Sequence, residues 1–478
     1  MSRYFKITNR KEIHHDFPYK DGLNILDKPF ETEGSCVEGG LYFTMIEYLH
    51  QYYEYGIYIR EIFLPETDPD FQMVRDPNGD KWRANKIILG NRYSLLDPET
   101  YNIFGLDIER NSPVVDIASK YGSILLLEWY KKNKSTTKLK HTSMSMDDAS
   151  GKGHVDVLQW WLDSELKLKF TNDALINAAE KGRIDVLNWW KKYFPEFVKK
   201  FMKEYNSSPD DYDILKKISQ KGFLDVLNWL KVEKFQLKSA GDFMTVTAAE
   251  YNQIKLLDWL KENLLLPNKF TYAINMAIRS GHVEVLEWFK KLGPIKYSSG
   301  LIDIACENGH VHVLEWLKNN SNKNPFYLCS SEAMDIASKN GHIEVLEWLK
   351  NNSGEISGSK LKYTDAAMTL ATDIKVLDWW LNSGLECKCE SKSNLFNYSY
   401  EIIKWWLECG LEIVIDKHSI KLLFKSDNDN IYSIINLLIN SNHKLTEPTY
   451  KKIAQWALEN DNFVVLKWWI DHNINTTN

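Results

Sequence analysis

Long apolar runs are missing from this chain of 478 residues. The greasiest stretch, ILLLEWY (124–130), is interrupted by Glu128 and falls far short of the roughly 18 apolar residues that span a bilayer. The opening MSRYFKITNRKEIHH lacks the apolar centre of a secretory signal. Cysteine is scarce, six in the whole chain, which excludes a disulfide scaffold and implies free thiols in a reducing compartment. Gly and Pro together number 36, too few for a collagen-like or low-complexity protein. An excess of base is also lacking. The net charge is -6 and the pI is about 6.1, which argues against grasping nucleic acid by its phosphates. The motifs G-x-S-x-G, G-x-x-x-x-G-K-[ST], H-E-x-x-H and G-x-G-x-x-G do not occur. The expectation is therefore no membrane or nucleic-acid partner, no cofactor, no metal, and no assignable catalytic residue.

Tryptophan, by contrast, is abundant, with 18 residues, and the charge is unevenly placed. Residues 1–110 hold 13 Lys+Arg and 19 Asp+Glu, so the whole net charge of -6 sits there. Residues 111–478 are balanced, with 46 of each sign (59 − 13 and 65 − 19).

One phrase recurs through that balanced region. Clear copies are GHVDVLQWW (153–161), GRIDVLNWW (182–190), GFLDVLNWL (222–230), GHVEVLEWF (281–289), GHVHVLEWL (309–317) and GHIEVLEWL (341–349). Weaker ones begin at 122, 252, 372 and 461, and the most degenerate at 398 and 430, which makes 12 copies. The key Trp recurs every 28 to 32 residues, apart from one gap of 40 and one of 26. A sustained period near 30 signals a solenoid of supersecondary units that bury their faces on their neighbours. Within one copy, Val345, Leu346, Trp348 and Leu349 fall inside an arc of about 160° on a helix, and Glu347 points away from it. A second helical stretch precedes each block, with Ala at 118, 149, 178, 248, 277, 305, 337 and 457. At the turn that follows, Gly stands in seven copies (122, 153, 182, 222, 281, 309 and 341) and Asn252 and Asn430 in two others, the residue types that a left-handed turn between helices requires.

The segment SSEAMDIASKNGHIEVLEWLKNN (330–352) resembles an ankyrin repeat. Ala337, Gly341, His342, Val345, Leu346 and Leu349 match the family pattern, and Trp348 replaces its first Leu. The tetrapeptide T-P-L-H is absent, with Glu-Ala-Met-Asp (332–335) and Asp-Ala-Leu-Ile (173–176) in its place. Loosely spaced, Trp-rich copies of this kind are similar to the ankyrin-repeat proteins of giant amoebal, mimivirus-like viruses. The resemblance implies a mostly α protein: an ankyrin-type α-solenoid of about 12 helix-turn-helix repeats over 111–472, a small α+β domain over 1–110, and a polar tail over 473–478. It also implies a non-enzymatic scaffold for protein-protein interaction, monomeric and intracellular, in the host cytoplasm, whose partners are host or viral proteins. No adaptor domain is expected after the last copy.

Sixteen of the 18 Trp lie in the repeated block, on its apolar arc, so they are expected in the core and not as stacking platforms for a ligand. The His residues after the turn glycine (154, 282, 310, 342) stand one repeat apart, too far to share an ion, and are expected to be structural. Cys387, Cys389, Cys409 and His418 have zinc-like identities in a spacing that fits no closed site. Cys306 reads as an apolar filler. The insert at 195–210 is expected either to lengthen the adjacent helix or to form a docking helix starting at Pro195, and the 26-residue gap predicts a defect near 385–400.

The first 110 residues follow another grammar. Strands are expected over 4–8, 40–44 and 56–64, a helix over 45–53, a turn at 76–80 and a closing strand over 83–90. DGLNIL (21–26) followed by EGGLYFTMIEYLHQYYEYG (38–56) faintly resembles the G-L … G-x-Y-F segment of ADP-ribosyltransferases. That resemblance implies nicotinamide adenine dinucleotide as co-substrate and His14 or His15 as the family's histidine, in a poorly matching context, with no glutamate assignable. The alternative reading is therefore a transferase-like domain directed to its targets by the repeats.

Overall fold

The computed structural model describes residues 3–106 except 78, 113–133, 141–206, 212–295, 299–320, 330, 332–352, 361–388 and 398–411, with short pieces between 433 and 470. The chain divides into two compact units, Met1–Ala240 and Gly241–Asn478, so the division falls inside the repeats.

The first unit begins with an antiparallel sheet. Its strands are β1 (Tyr4–Thr8), β4 (Gly22–Ile25), β5 (Leu41–Met45), β6 (Tyr58–Phe63), β7 (Met73–Arg75), β8 (Lys81–Ala84) and β9 (Lys86–Ser94), in the order β4-β9-β6-β1-β5-β8-β7. A separate hairpin pairs β2 (Ile13–His14) with β3 (Phe17–Pro18). Strand β1 is central, pairing with β5 on one side and β6 on the other, and four of its five residues are buried. The expected closing strand over 83–90 is instead two strands broken at Asn85. The Asn85 amide donates to Asp70 O at 2.7 Å and its oxygen accepts from Gln72 N at 2.8 Å, so this side chain pins the preceding loop and turns the chain. Strand β9 then runs beside β6, one position in from the edge. The expected helix at 45–53 is a 3-10 helix, Ile46–Tyr55, burying Leu49 and Tyr53. A short helix, α1 (Pro98–Phe104), is capped by Asp97, whose carboxylate accepts from Glu99 N.

Helix pairs follow. In the first unit they are α2 (Pro113–Lys120) with α3 (Ile124–Asn133), α4 (Met144–Lys152) with α5 (Val155–Asp163), α6 (Asp173–Glu180) with α7 (Ile184–Tyr193), and α9 (Asp213–Lys221) with α10 (Leu224–Val232). Helix α8 (Pro195–Asn206) is the insert, a helix of its own after α7. It buries Val198, Phe201 and Met202, and Phe197 packs edge-on to Phe170, so its apolar side already belongs to the core. Helix α1 leans on the first pair: the Tyr101 ring lies 5.5 Å from that of Trp129, and Ser123 Oγ donates to Leu96 O at 3.1 Å.

The second unit contains α11 (Gly241–Glu250) with α12 (Ile254–Glu262), α13 (Thr271–Arg279) with α14 (Val283–Leu292), α15 (Ser299–Glu307) with α16 (Val311–Asn320), α17 (Glu332–Lys339) with α18 (Ile343–Asn352), and α19 (Ala366–Thr369) with α20 (Ile374–Asn382). Helices α21 (Tyr400–Glu408) and α22 (Glu447–Glu459) follow. Nine complete helix pairs thus lie among the described residues. The expected defect at 385–400 falls largely on 389–397, outside them. The shortened first helix that is described, α19, lies one copy earlier.

All eight repeated Ala residues are fully buried, which lets paired backbones approach closely. Gly182 and Gly341 take φ of 69° and 83°, and Asn252 takes 54°. At these turns the amide after the glycine reaches back to the Ala carbonyl, as Arg183 N does to Ala178 O at 2.8 Å and His342 N to Ala337 O at 2.9 Å. The first Trp of each block is 5% to 8% exposed in the copies from Trp160 to Trp348, and Trp161, Trp190, Trp380 and Trp406 in the second slot are fully buried. The paired indoles meet edge to face, at 5.2 Å and 84° for Trp379 and Trp380.

Candidate functional site

The recurring polar residues of the repeats turn out to be joints between neighbours. The first-slot indole N–H donates to the variable residue of the preceding block: Trp189 to Gln159 (3.0 Å), Trp288 to Asp258 (2.7 Å), Trp379 to Glu347 (2.9 Å) and Trp405 to Asp378 (2.7 Å). Glu347 does leave the apolar arc, as its position requires, but it is a partner for the next copy and not a free surface acid. The Trp379 N–H holds its carboxyl below the usual carboxylate range.

Second-slot indoles use a different acceptor. Trp161, Trp190 and Trp380 donate to the hydroxyls of Ser119, Ser150 and Ser338, the residues that follow the conserved-slot Ala one copy earlier. Where the second slot holds Leu230, Phe289, Leu317 or Leu349, the matching residue is Ala179, Ala249, Ile278 or Cys306. Ser219 is the exception: the next copy has Leu260 in that slot, and the buried Ser219 hydroxyl has no hydrogen-bond partner.

A third joint links an Asp in one first helix to the residue that precedes the next. Asp147 accepts from the amide and hydroxyl of Thr171 at 2.9 and 2.8 Å, and Asp335 accepts from those of Thr364 at 2.9 and 2.6 Å. Asp116 engages Thr142 in the same way. Burial raises the Asp147 pKa, and the bonds from Thr171 oppose that rise.

The four His residues after the turn glycine reach the previous copy. Nε2 of His282, His310 and His342 lies 3.0, 2.8 and 3.0 Å from the carbonyls of Glu250, Arg279 and Glu307. A carbonyl only accepts, so Nε2 carries the proton in each. His154 stacks over Gly122, where a Cβ would meet its ring at 2.8 Å. Among the described residues no group of three His, Cys, Asp or Glu is placed to hold a metal ion. Cys389 and His418 lie outside those residues. Cys387 and Cys409 each point their thiol at a backbone carbonyl, of Trp380 and Trp406 respectively, and Cys306 is buried.

The concave site lies in the strand-rich segment. A cavity of about 290 Å³ opens between β1, the β2–β3 hairpin, the 26–28 and 36–38 loops and β5. The hairpin turn places His15 and Asp16 at φ of 48° and 62°, the left-handed pair that closes a two-residue hairpin. This turn brings His14 and His15 to the cavity wall, where their rings stack at 4.4 Å. Gly40–Phe43 forms another wall, so the segments that carry the transferase resemblance do meet in space.

Lys6 is the unexpected member. It is 4% exposed on the central strand; its Nζ donates to Tyr42 O at 2.8 Å and lies 4.5 Å from the centre of the Tyr19 ring. Burial lowers its pKa to about 7. Burial, followed by the Lys6 charge and His15, lowers His14 to about 4, so His14 is neutral at neutral pH. Cys36 stands at the rim with φ of 56°, and its sulfur accepts from Lys81 Nζ at 3.0 Å, which holds the thiol below its usual range. A lysine in the middle of Y-F-K-I-T reads from sequence as the solvent side of an edge strand. Only the pairing of β1 on both sides reveals that it is buried.

The repeats also have relatives. A family model described as ankyrin repeats in many copies matches residues 302–349. A putative ankyrin repeat protein of Acanthamoeba polyphaga mimivirus is 42% identical over 160 residues, which are 32% of this chain and 79% of that protein. A second putative ankyrin repeat protein of the same virus is 42% identical over 139 residues, and there the match spans 25% of this chain and 45% of the relative. An uncharacterised protein from that virus is 46% identical over 116 residues, or 23% of this chain and 83% of its own length.

Proposed function

Because the chain belongs to the ankyrin-repeat family, we propose that it is a non-enzymatic scaffold that binds other proteins through its helix pairs and the loops between them. The observation that carries this reading is the use of the recurring polar residues. Trp, Ser, Asp, Thr and His of one copy bond to the next within each unit, which fixes the spacing of neighbouring helix pairs and leaves the exposed loop positions for a partner. Leu264 and Tyr272, in and just after the loop that follows α12, are 87% and 72% exposed and are the first candidates for partner contact. The partners are host or viral proteins met inside the cell, and the scaffold acts as a monomer. No helix among the described residues is long and apolar enough to cross a membrane. Residues 1–110 form a module that caps the array of 111–472, a role supported by the seating of Tyr101 on Trp129. Residues 473–478 are a polar tail. Affinity capture with the full chain tests the reading: Leu264→Asp with Tyr272→Ala should lose partners that the parent retains. Unchanged capture with this variant would remove these two positions from the binding surface, and capture of nothing by the parent would remove the scaffold.

The transferase reading has one observation in its favour, the convergence of His14, His15 and Gly40–Phe43 on a single cavity. Against it stand the context His14-His15-Asp16, which matches the family's histidine motif poorly, and the lack of an assignable glutamate in the sequence. Incubation with labelled dinucleotide and candidate proteins decides the matter, and transfer of label would establish the enzyme.

A further inference from the structure

We propose that the cavity beside β1 is a binding site for an aromatic carboxylate, with Lys6 and His14 as its hydrogen-bond donors. Two observations meet there. Lys6 is a buried amine with one hydrogen bond, to the Tyr42 carbonyl, and a contact with the Tyr19 ring, and no carboxylate lies within ion-pair distance of it among the described residues. Buried charges in folded proteins are otherwise paired, because an isolated one loses its hydration without compensation. On the same cavity, the Nε2 of His14 is buried and has no hydrogen-bond partner. The two groups are close enough for the Lys6 charge to act on the imidazole. An ammonium and an imidazole N–H together offer donors to both oxygens of a carboxylate, and the anion supplies the charge that Lys6 lacks.

The remaining walls define the body of the ligand. Phe17, Tyr19, Phe43 and Tyr55 line the cavity beside Lys6, so the group attached to the carboxylate is flat and apolar, while Asp16, Asp27 and Glu38 on the same lining are accompanied by Lys28 and Lys81. A volume of about 290 Å³ accommodates a ring with a short side chain. An anion bound there would favour the charged amine and raise the Lys6 pKa that burial lowers. Such a carboxylate comes either from a small aromatic acid or from the C-terminal residue of a partner protein ending in an aromatic side chain. The second source would join this module to the array as a second recognition element.

Calorimetric titration of the full chain separates these outcomes. The probes are 3-phenylpropionate and its primary amide, and the tripeptide Gly-Gly-Phe with a free or an amidated C-terminus. Both carboxylates should bind at least about tenfold more tightly than their amides, the ratio expected when a charge-assisted bond is lost. Lys6→Met should abolish that ratio while leaving the amides unchanged. Tighter binding of the tripeptide than of the small acid assigns the site to protein C-termini, and equal or weaker binding assigns it to small acids. Amides that bind as well as acids, or acids that do not bind at all, would overturn the proposal. The comparison of acid with amide on the unaltered protein decides the question even if Lys6→Met fails to fold.

Discussion

The indole N–H of Trp380 donates to the hydroxyl of Ser338, 42 positions earlier, at 2.6 Å, and both side chains are fully buried. The two belong to successive copies, so this bond fixes one repeat against the next. Ser338→Ala strands a buried indole donor and should cost about 1–3 kcal/mol. Trp380→Leu should cost more through lost volume, yet Ser338→Ala added to it should cost little. The coupling between the two, read by chemical denaturation in a double-mutant cycle, is expected at or above about 0.5 kcal/mol. Strict additivity would mean that the bond contributes nothing to the joint.

Much of this architecture is legible without coordinates. The period of the Trp block, the Ala at the helix contact and the Gly or Asn at the turn each report a local requirement, and local requirements repeat. The joints between copies were hidden because they pair residues 24 to 42 positions apart, and each partner has a bland explanation alone. Glu347 looks like a solvated acid and Ser338 like a helix-surface residue. The signal that exposes them is internal covariation: Ser follows the Ala where the next copy has a second Trp, and Asp precedes it where the next copy starts with Thr. The cavity was illegible for another reason. Its key residue, Lys6, lies on a strand whose burial depends on partners 36 to 58 residues away, which no pattern within Y-F-K-I-T encodes.

The clamp between Asp147 and Thr171 offers two bonds to one carboxylate, at 2.9 and 2.8 Å. Thr171→Val keeps the shape and removes the hydroxyl, leaving a partly buried carboxylate with a lost partner. The cost should be about 1–3 kcal/mol. Hydrogen exchange should show faster opening at the start of α6, with little change in β1. Unaltered protection in α6 would mean that the backbone bond alone holds the clamp.

Trp348, on α18, is 8% exposed, and its N–H donates to Glu315. Trp348→Ala combines a large cavity with the loss of that bond, and about 3–5 kcal/mol is expected. A loss under about 1 kcal/mol by denaturant titration would contradict its place in the core.

Lys6 makes stability depend on pH in a predictable direction. Its pKa is about 7 in the folded chain and near 10.5 in the unfolded one, so between those values the unfolded chain binds a proton that the folded chain does not. Stability contributed by this group therefore rises with pH across that window, by at most about 1.4 kcal/mol per pH unit, and the penalty is complete below pH 7. His14, at about 4 folded and 6.5 unfolded, acts in the same sense at lower pH: stability falls as pH drops from 6.5 towards 4. Lys6→Met should flatten the alkaline limb of a plot of unfolding free energy against pH, and by removing a charge that helps to lower His14 it should also make the acidic limb shallower. An alkaline limb of equal slope in the variant would show that Lys6 is not the buried cation.

Gly309 and Gly341 occupy equivalent turns with φ of 75° and 83°, but their surroundings differ. A Cβ at Gly341 would meet nothing within 4 Å, whereas one at Gly309 would meet the His342 ring at 2.7 Å. Gly341→Ala should therefore cost about 1–2 kcal/mol, the left-handed penalty for a side chain. Gly309→Ala should cost more, since the imidazole that donates to Glu307 O must move and its bond is strained or lost. His342→Ala in the Gly309→Ala background should recover part of that excess, while the same change beside Gly341→Ala should only add its own cost. Equal penalties at the two glycines, measured by thermal unfolding, would show that the histidine yields freely and that its stacking on the preceding turn is not what spaces the repeats.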